Sequence, residues 1–394
     1  MDNNIVRLEQ NDPTLLKLKF YHKYDIDIQR LHNALINNTY LEKLTFDQCA
    51  MAYYSNHTMF VDYIKANKSL KKIKLFYVSL YLCTNFDYLF ECLKYYTSIN
   101  ELILEYNKIS IDKLPKIVNM LTIKSSLKTL CLSGNKLCHN NGIKMLVDGL
   151  KTNTQLEKLY LANTNIDNAG CRVLAEYLEI NRNLRVLDIS GNQIFKNGIL
   201  AITNILTTNN CLEELCVRHN YIGPKGARII ANFLKENMTL KFLDISHNYL
   251  DNVGAKEIAI GLIHNNYLKK LYMWRNKIKF RGAIAIADAL RHNNSLKKLI
   301  ISINKFRDRG MIEILDGLKY NCSLELLDFN MESYMPDNSV NEKFIEVLST
   351  NYTLTDVTGI DFDYEKYDYL FSEEYRNLLK KCAHMKSSKR ISSQ

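Results

Sequence analysis

Apolar residues recur along the chain in a short pattern that returns at a nearly constant interval, for example at Leu184, Leu212 and Leu240. Each copy has leucine or another apolar residue at its first, fourth and sixth positions, with mostly polar residues between them. Alternating apolar and polar positions are typical of a half-buried strand, so each copy predicts a short strand with these three side chains inward. The seven clearest copies are Leu127-Leu130-Leu132, Leu156-Leu159-Leu161, Leu184-Leu187-Ile189, Leu212-Leu215-Val217, Leu240-Leu243-Ile245, Leu268-Leu271-Met273 and Leu296-Leu299-Ile301.

The second half of each copy has the spacing of a helix. A glycine recurs once in every copy, at one constant interval from Gly142 to Gly310, with leucine or isoleucine four positions later and leucine eight positions later. Residues four and eight apart share one face of a helix. The pattern therefore predicts a unit of strand, turn, helix and turn.

Two asparagines mark the turns of most units. One stands at the ninth position, as Asn135 and Asn276 do, and we expect its side chain to bond backbone groups of neighbouring repeats in a ladder. Thr164 interrupts this series once, with a hydroxyl that can still bond the backbone. A second asparagine, such as Asn237, follows each helix, and asparagine tolerates the left-handed conformation that ends many helices.

Fainter copies of the pattern extend in both directions and define the domain organisation. After a lead-in of residues 1–14, about thirteen repeats cover residues 15–360. Terminal repeats are expected to be atypical because they cap the stack. Residues 361–384, which include the Leu378-Leu379 pair, are predicted to form a C-terminal cap, and the polar residues 385–394 a disordered tail.

The repeat resembles the long, 28-residue leucine-rich repeat of ribonuclease inhibitor and of the sensor ends of NOD-like receptors. The resemblance covers nearly the whole chain, and its LxxLxLxxN phrase is specific for the fold. It implies an α/β leucine-rich-repeat solenoid, a horseshoe with parallel strands on the concave face and helices on the convex face. Function is less constrained, because this fold serves many different binding roles.

Charge and cysteine content narrow the functional classes. Lys and Arg exceed Asp and Glu by 52 − 42 = 10, and the longest basic runs are only pairs. The 10 cysteines include no CxxC pair, and no apolar run reaches the roughly 18 residues of a membrane span. We therefore expect a reducing, intracellular and cytoplasmic location with no metal site. Abundant Asn, Lys and Tyr fit an AT-rich genome, so this would be the host cell if the source were a pathogen or virus.

Catalytic and cofactor motifs are missing from the sequence. It contains no GxGxxG, GxxxxGK[ST], HExxH or GxSxG phrase, so we predict no cofactor and no catalytic residue. Asp188, Asp244 and Asp328 occupy the fifth position of their repeats, but they lie in separate repeats and lack the adjacent carboxylate that acid/base chemistry needs. The chain is therefore predicted not to be an enzyme.

Two alternative functions stay open. The repeat also resembles Ran GTPase-activating protein, a family described as using an arginine in an early-repeat loop and carrying an acidic C-terminal tail. Here residues 31–171 contain no arginine and the tail is basic. Nucleic-acid binding through a basic concave surface is the other alternative, although the short basic runs disfavour it. Ribonuclease inhibition is also disfavoured, because such inhibitors are acidic and this chain carries a net charge of +10.

The main prediction is a protein–protein interaction scaffold, an adaptor or effector that binds a protein partner of unknown identity on the concave face. In-register stacking would gather aromatic, basic and apolar residues of four adjacent repeats around the single tryptophan of the chain. Trp, Tyr and Arg dominate binding hot spots. The candidate partner-binding residues are Arg218, His219, Phe242, Asp244, His247, Tyr272, Trp274, Arg275, Ile300 and Ile303. The oligomeric state does not follow from the sequence.

Overall fold

The computed structural model of the chain describes residues 2–21, 28–49, 67–78, 86–95, 98–123, 126–137, 139–331 and 336–359. The chain forms two compact units, residues 1–193 and 194–394. The predicted cap at 361–384 and the predicted tail at 385–394 lie outside the described residues.

The described part of the first unit begins with a helix inside the predicted lead-in and continues with strands and helices. Its strands are β1 (Lys17–Tyr21), β2 (Lys43–Asp47), β3 (Lys72–Phe76), β4 (Glu101–Ile103), β5 (Thr129–Cys131), β6 (Lys158–Tyr160) and β7 (Val186–Asp188). Its helices are α1 (Asp2–Glu9), α2 (Ile28–Ile36), α3 (Phe86–Tyr95), α4 (Leu114–Ile123), α5 (His139–Leu150) and α6 (Asn168–Ile180).

The second unit repeats the same alternation of helix and strand. Its helices are α7 (Lys196–Leu206), α8 (Gly223–Glu236), α9 (Asp251–His264), α10 (Phe280–His292), α11 (Arg307–Leu318) and α12 (Asn338–Leu348). Its strands are β8 (Glu214–Cys216), β9 (Phe242–Asp244), β10 (Lys270–Tyr272), β11 (Lys298–Ile300), β12 (Leu326–Asp328) and β13 (Asp356–Thr358).

Within each unit, every strand pairs in parallel with the next strand of the chain, and equal repeat positions face each other. Leu243 at the fourth position, for example, is the Cα partner of Leu215 on one side and of Leu271 on the other. Neighbouring strands lie about 4.8 Å apart, so a repeat position becomes a column of stacked side chains. The predicted α/β solenoid architecture of parallel strands and helices is confirmed.

The apolar columns of the pattern form the core between strands and helices. Leu268 and Leu271 have no exposed surface, and Met273 is 1% exposed. Helices of neighbouring repeats also approach closely where small residues meet. A Cβ atom at Gly317 of α11 would lie 2.8 Å from the Cα of Ala287 in α10. A side chain there would push the two helices apart, so glycine is required by packing.

The position-nine asparagines join consecutive repeats. The side-chain amide of Asn276 donates to the carbonyl oxygens of Ile245 and Met273, each at 3.0 Å, and its oxygen accepts from the N–H of Asn248 at 2.8 Å. Asn276 is fully buried. Each such side chain therefore satisfies backbone groups of its own and the preceding repeat, which confirms the predicted ladder.

Thr164 is the weak rung of this ladder. Its hydroxyl donates to the carbonyl oxygen of Leu161 at 2.7 Å, as expected. It offers no carboxamide oxygen to the preceding repeat, and the N–H of Leu137 bonds within its own turn, to the carbonyl oxygen of Asn135 at 3.0 Å. The repeat before Thr164 is therefore held by fewer inter-repeat bonds than its neighbours.

The asparagines that follow the helices act through their side chains, and the predicted left-handed backbone is wrong. Asn265 has an extended backbone, with φ −99° and ψ 126°. Its side-chain oxygen accepts from the N–H groups of Tyr267 and Leu268 at 3.0 and 2.7 Å. Its amide donates to the carbonyl oxygens of Leu234 and Asn237 at 2.7 and 3.0 Å. These residues form a second ladder between repeats.

Substitutions that exchange threonine and asparagine at the ninth position of the repeat test the first ladder. Thr164→Asn should raise the free energy of unfolding by about 1 kcal/mol, because the new carboxamide can accept from the preceding turn. Asn276→Thr should lower it by about 2 kcal/mol, because buried backbone groups lose partners. Urea unfolding followed by far-ultraviolet circular dichroism measures both changes. Destabilisation by both substitutions would contradict the role assigned to the ladder.

Candidate protein-binding surface

The predicted binding residues lie on or directly after strands β8 to β11 of the second unit. Positions three and five flank a buried leucine along each strand, so their side chains point away from the core. We define the strand-face patch as Arg218, His219, Phe242, His247, Tyr272, Trp274, Arg275, Ile300 and Ile303. Arg218, His219 and Arg275 are exposed and the other six are half-buried.

Arg218 and Trp274 form the centre of the patch. The guanidinium carbon of Arg218 lies 4.4 Å from the centroid of the Trp274 ring, which is a cation–π contact. The two residues occupy the seventh position two repeats apart, and the repeat between them has Ser246 there, fully buried. Because serine is small, the arginine side chain can reach across a whole repeat to the indole.

Two histidines lie beside this pair and contact each other. The Nδ1 atoms of His219 and His247 are 2.9 Å apart, and the ring centroids are 4.3 Å apart in an edge-to-face arrangement. The His247 ring also lies 6.4 Å from the Trp274 ring. A bond between two Nδ1 atoms requires one ring to donate and the other to accept. The pKa of His247 is lowered, chiefly because the ring is partly buried. The positive charges that His219, Arg275 and Arg218 can carry lower it further.

A second cluster of the patch lies on the strands themselves. Phe242 and Tyr272 meet edge to face, with ring centroids 4.9 Å apart. The ammonium group of Lys298 lies 5.5 Å from the centroid of the Tyr272 ring. Ile300 is the Cα partner of Tyr272 on the next strand. The strands therefore present an apolar strip edged by a lysine.

Asp244 departs from the expectation of an exposed binding residue, because it is buried. Its carboxylate accepts from the backbone N–H two residues further on at 2.9 Å. Asp188 and Asp328 accept the equivalent bond at 2.9 and 3.1 Å. Each aspartate at the fifth position thereby caps the turn after its strand, and each has a structural reason to be there.

The eighth position of the repeat has a left-handed backbone that the sequence analysis did not anticipate. Four consecutive repeats place a non-glycine residue there, with φ of 55° at His219, 55° at His247, 56° at Arg275 and 54° at Ile303. Such a residue costs about 1–3 kcal/mol, and a β-branched one such as Ile303 is a clear outlier. The first unit has glycine there twice, and also the left-handed residues Tyr77, Tyr106 and Asn163. Gly134 and Gly191, each just before a ladder position, were the sequence signal for this conformation.

A row of aromatic side chains next to the patch was also missed. Phe195, Tyr221 and Tyr249 are 48%, 50% and 41% exposed. Their rings stack nearly parallel, with successive centroids 5.3 and 6.1 Å apart. The Tyr249 ring contacts the His247 ring at 5.9 Å, so the row adjoins the patch. The two tyrosines occupy the same position of consecutive repeats, and this coincidence could have revealed the row.

Metal and thiol chemistry find little support in the part of the chain that the structure describes. There, no group of three His, Cys, Asp or Glu side chains could hold a metal ion. Burial raises the pKa of the Cys131 and Cys171 thiols to about 12, which keeps the reactive thiolate scarce. None of the described helices is long and apolar enough to cross a membrane.

Comparison with known proteins gives one family and several similar structures. A family model described as Leucine Rich repeat matches residues 181–202, 208–231, 236–259 and 292–315. No match is found among curated proteins.

The similar solved structures include two matches to part of the chain and one to most of it. The chain is similar to leiomodin-1 actin-binding site 2, with 27% identity over 34% of this chain and 77% of that one and a TM-score of 0.30. It is similar to a Caenorhabditis elegans tropomodulin C-terminal domain, with 20% identity, 38% and 92% coverage and a TM-score of 0.34. The yeast Rad7 and Elc1 complex matches with 14% identity, 91% and 87% coverage and a TM-score of 0.48.

The family matches fall on the repeats that also show the clearest pattern of strand, ladder asparagine and helix. All four matched segments contain or border structural repeats of the two units. Four segments of the chain thus match the leucine-rich-repeat model, and the structure shows the alternation of strand and helix that such repeats have.

Proposed function

We propose that this chain is a non-enzymatic scaffold that binds a protein partner through the strand-face patch of its second unit. The observation that carries the proposal is the Arg218–Trp274 contact at the centre of a group of half-buried rings. Tryptophan, tyrosine and arginine are the residues that most often dominate protein interfaces. The patch combines such anchors with exposed charge, as the centre and rim of an interface do.

The backbone fixes the direction of four side chains of the patch. His219, His247, Arg275 and Ile303 hold the left-handed conformation that the eighth position has in repeats of both units. This conformation belongs to the turn of the repeat, so it positions these side chains without marking them as a site. We infer their contribution to recognition from their place beside Arg218 and Trp274.

The polar groups of the strand face favour binding over catalysis. Asp188, Asp244 and Asp328 each accept a bond from the turn that follows their strand. Each of these carboxylates therefore has a structural role in the turn of its own repeat. A binding surface does not need them for acid/base chemistry.

Affinity capture from a lysate of the native source tests the proposal. The full-length chain should retain one or a few proteins. The Trp274→Ala/Arg275→Ala variant should lose them, because the central tryptophan and an exposed arginine of the patch are removed. Mass spectrometry of the retained proteins measures the loss, which we expect to be tenfold or more.

A matched control uses an aromatic and cationic pair outside the patch. Tyr320 is 66% exposed, and the Lys319 ammonium lies 6.0 Å from its ring. The Lys319→Ala/Tyr320→Ala variant should retain the partner as the wild type does. Equal retention by all three proteins would contradict the patch as the site. Recovery of nucleic acid alone, or of nothing, by the wild type would contradict the protein-binding function.

The histidine pair makes the patch sensitive to pH. Because the pKa of His247 is lowered from 6.5 in the folded chain, the unfolded chain takes up this proton more readily. The free energy of unfolding should therefore fall as the pH decreases from about 6.5 through the lowered pKa, and no further below it.

Nuclear magnetic resonance titration of the histidine ring signals checks this behaviour. The midpoint for His247 should lie below 6.5 in the wild type. His219→Ala should move it upward, because one of the neighbouring positive charges that opposes protonation is removed. A wild-type midpoint at or above 6.5, or no upward shift in the variant, would show that the pair is not coupled as described.

A further inference from the structure

The two units differ in how they neutralise the lysines of their strand faces. In the first unit, five of these lysines bond to carboxylates of neighbouring repeats. The pairs are Lys19–Asp47, Lys71–Glu42, Lys72–Glu101, Lys74–Glu105 and Lys128–Glu157. Lys43 and Lys17 share the field of Glu42, since both help Lys71 to lower the pKa of that carboxyl. Charge on this face is therefore largely balanced within the chain.

Around β10 of the second unit the cations have no such partners. Among the described residues, no carboxylate lies within ion-pair distance of Lys269, Lys270 or Arg275, all of which are exposed. The paired lysines of this face lie on either side, in the Lys241–Glu213 and Lys297–Glu325 contacts. The repeat that contains Trp274 therefore carries three exposed cations without an ion pair to a described residue.

The strand register places one of these cations opposite another lysine. Lys270 is the Cα partner of Lys298 on one side and of Phe242 on the other. Like charges directly opposite on neighbouring strands destabilise a sheet. A negatively charged ligand on this face would relieve that repulsion, so part of its binding energy would come from a cost already present in the free chain.

Building on the proposed function, we propose that the strand-face patch binds an acidic segment of its protein partner. Carboxylates of the segment lie against Lys269, Lys270 and Arg275, and an apolar side chain lies against Trp274 and Ile303. The apolar anchor and the acidic flanks match the half-buried and the exposed parts of the patch respectively.

The packing of the rings favours a peptide over a single-stranded nucleic acid. Base stacking needs free aromatic faces. One face of the Trp274 ring is covered by the guanidinium group of Arg218, and the Tyr272 ring has the Lys298 ammonium over it. Phe242 and Tyr272 meet edge to face, which leaves no continuous stacking platform between them. Carboxylates can still reach the exposed cations from the edge of this cluster.

Selection from a random library of 12-residue displayed peptides on the immobilised full-length chain tests the proposal. Peptides selected on the wild type should be enriched in Asp and Glu over the starting library. The Lys270→Gln/Arg275→Gln variant should lose this enrichment, because two uncompensated charges are removed while Trp274 remains. The matched control Lys72→Gln/Lys74→Gln removes lysines that already have carboxylate partners, and it should select the same peptides as the wild type.

A titration with one selected peptide gives the affinities. Trp274 is the only tryptophan, so its emission reports on the patch directly. The Lys270→Gln/Arg275→Gln variant and a peptide with every Glu and Asp replaced by its amide should each bind about tenfold more weakly. Circular dichroism of the Lys270→Gln/Arg275→Gln and Lys72→Gln/Lys74→Gln variants should match that of the wild type, which shows that the fold is kept.

Several results would overturn the acidic-segment proposal. They are selection without acidic enrichment, enrichment that survives in the Lys270→Gln/Arg275→Gln variant, and tighter binding of a 12-nucleotide oligouridine than of the selected peptide. Failure here is distinguishable from failure of the scaffold proposal. If native partner capture is still lost with Trp274→Ala/Arg275→Ala, the patch binds a protein whose contacting segment is not acidic.

Discussion

The buried backbone at the turns between strands and helices is the constraint on which this fold depends. Every repeat bends its chain inside the protein, where unpaired N–H and carbonyl groups are costly. Asn276 satisfies such groups after the strand, and Asn265 satisfies them before it. Each side chain bonds the preceding repeat as well as the local turn. Because the same side chain closes a turn and joins two repeats, repeats can stack only in one register.

That register converts sequence positions into surface columns, and this is why much of the binding surface could be predicted. The constant length of the repeat was enough to place Arg218, Trp274 and the histidines near one another. It was not enough to show that Arg218 crosses the buried Ser246 to reach the indole, or that Asp244 is buried as a turn cap. Those outcomes depend on side-chain conformation and local bonding, which periodicity does not encode.

The backbone conformation of the turns was the least predictable feature from the sequence, for a physical reason. Asparagine can end a helix either by a left-handed backbone or by side-chain bonds, and composition does not distinguish the two. Asn265 uses the side-chain route. Left-handed backbone occurs instead at the eighth position, where residues as unfavourable as Ile303 adopt it because the ladder on the next residue fixes the turn.

A repeat fold can accept such local costs because its stability is approximately a sum over repeats and their interfaces. Left-handed side chains and opposed lysines weaken the repeats around β10, while the apolar columns and both asparagine ladders continue through them unchanged. The loss of stability is therefore confined to the repeats around β10. It is offset by core and ladder contacts that do not face the ligand. In the first unit, carboxylates balance most of the equivalent charge inside the chain. Around β10 the balancing carboxylates are missing among the described residues, and a partner that supplies them gains affinity without any change in the fold.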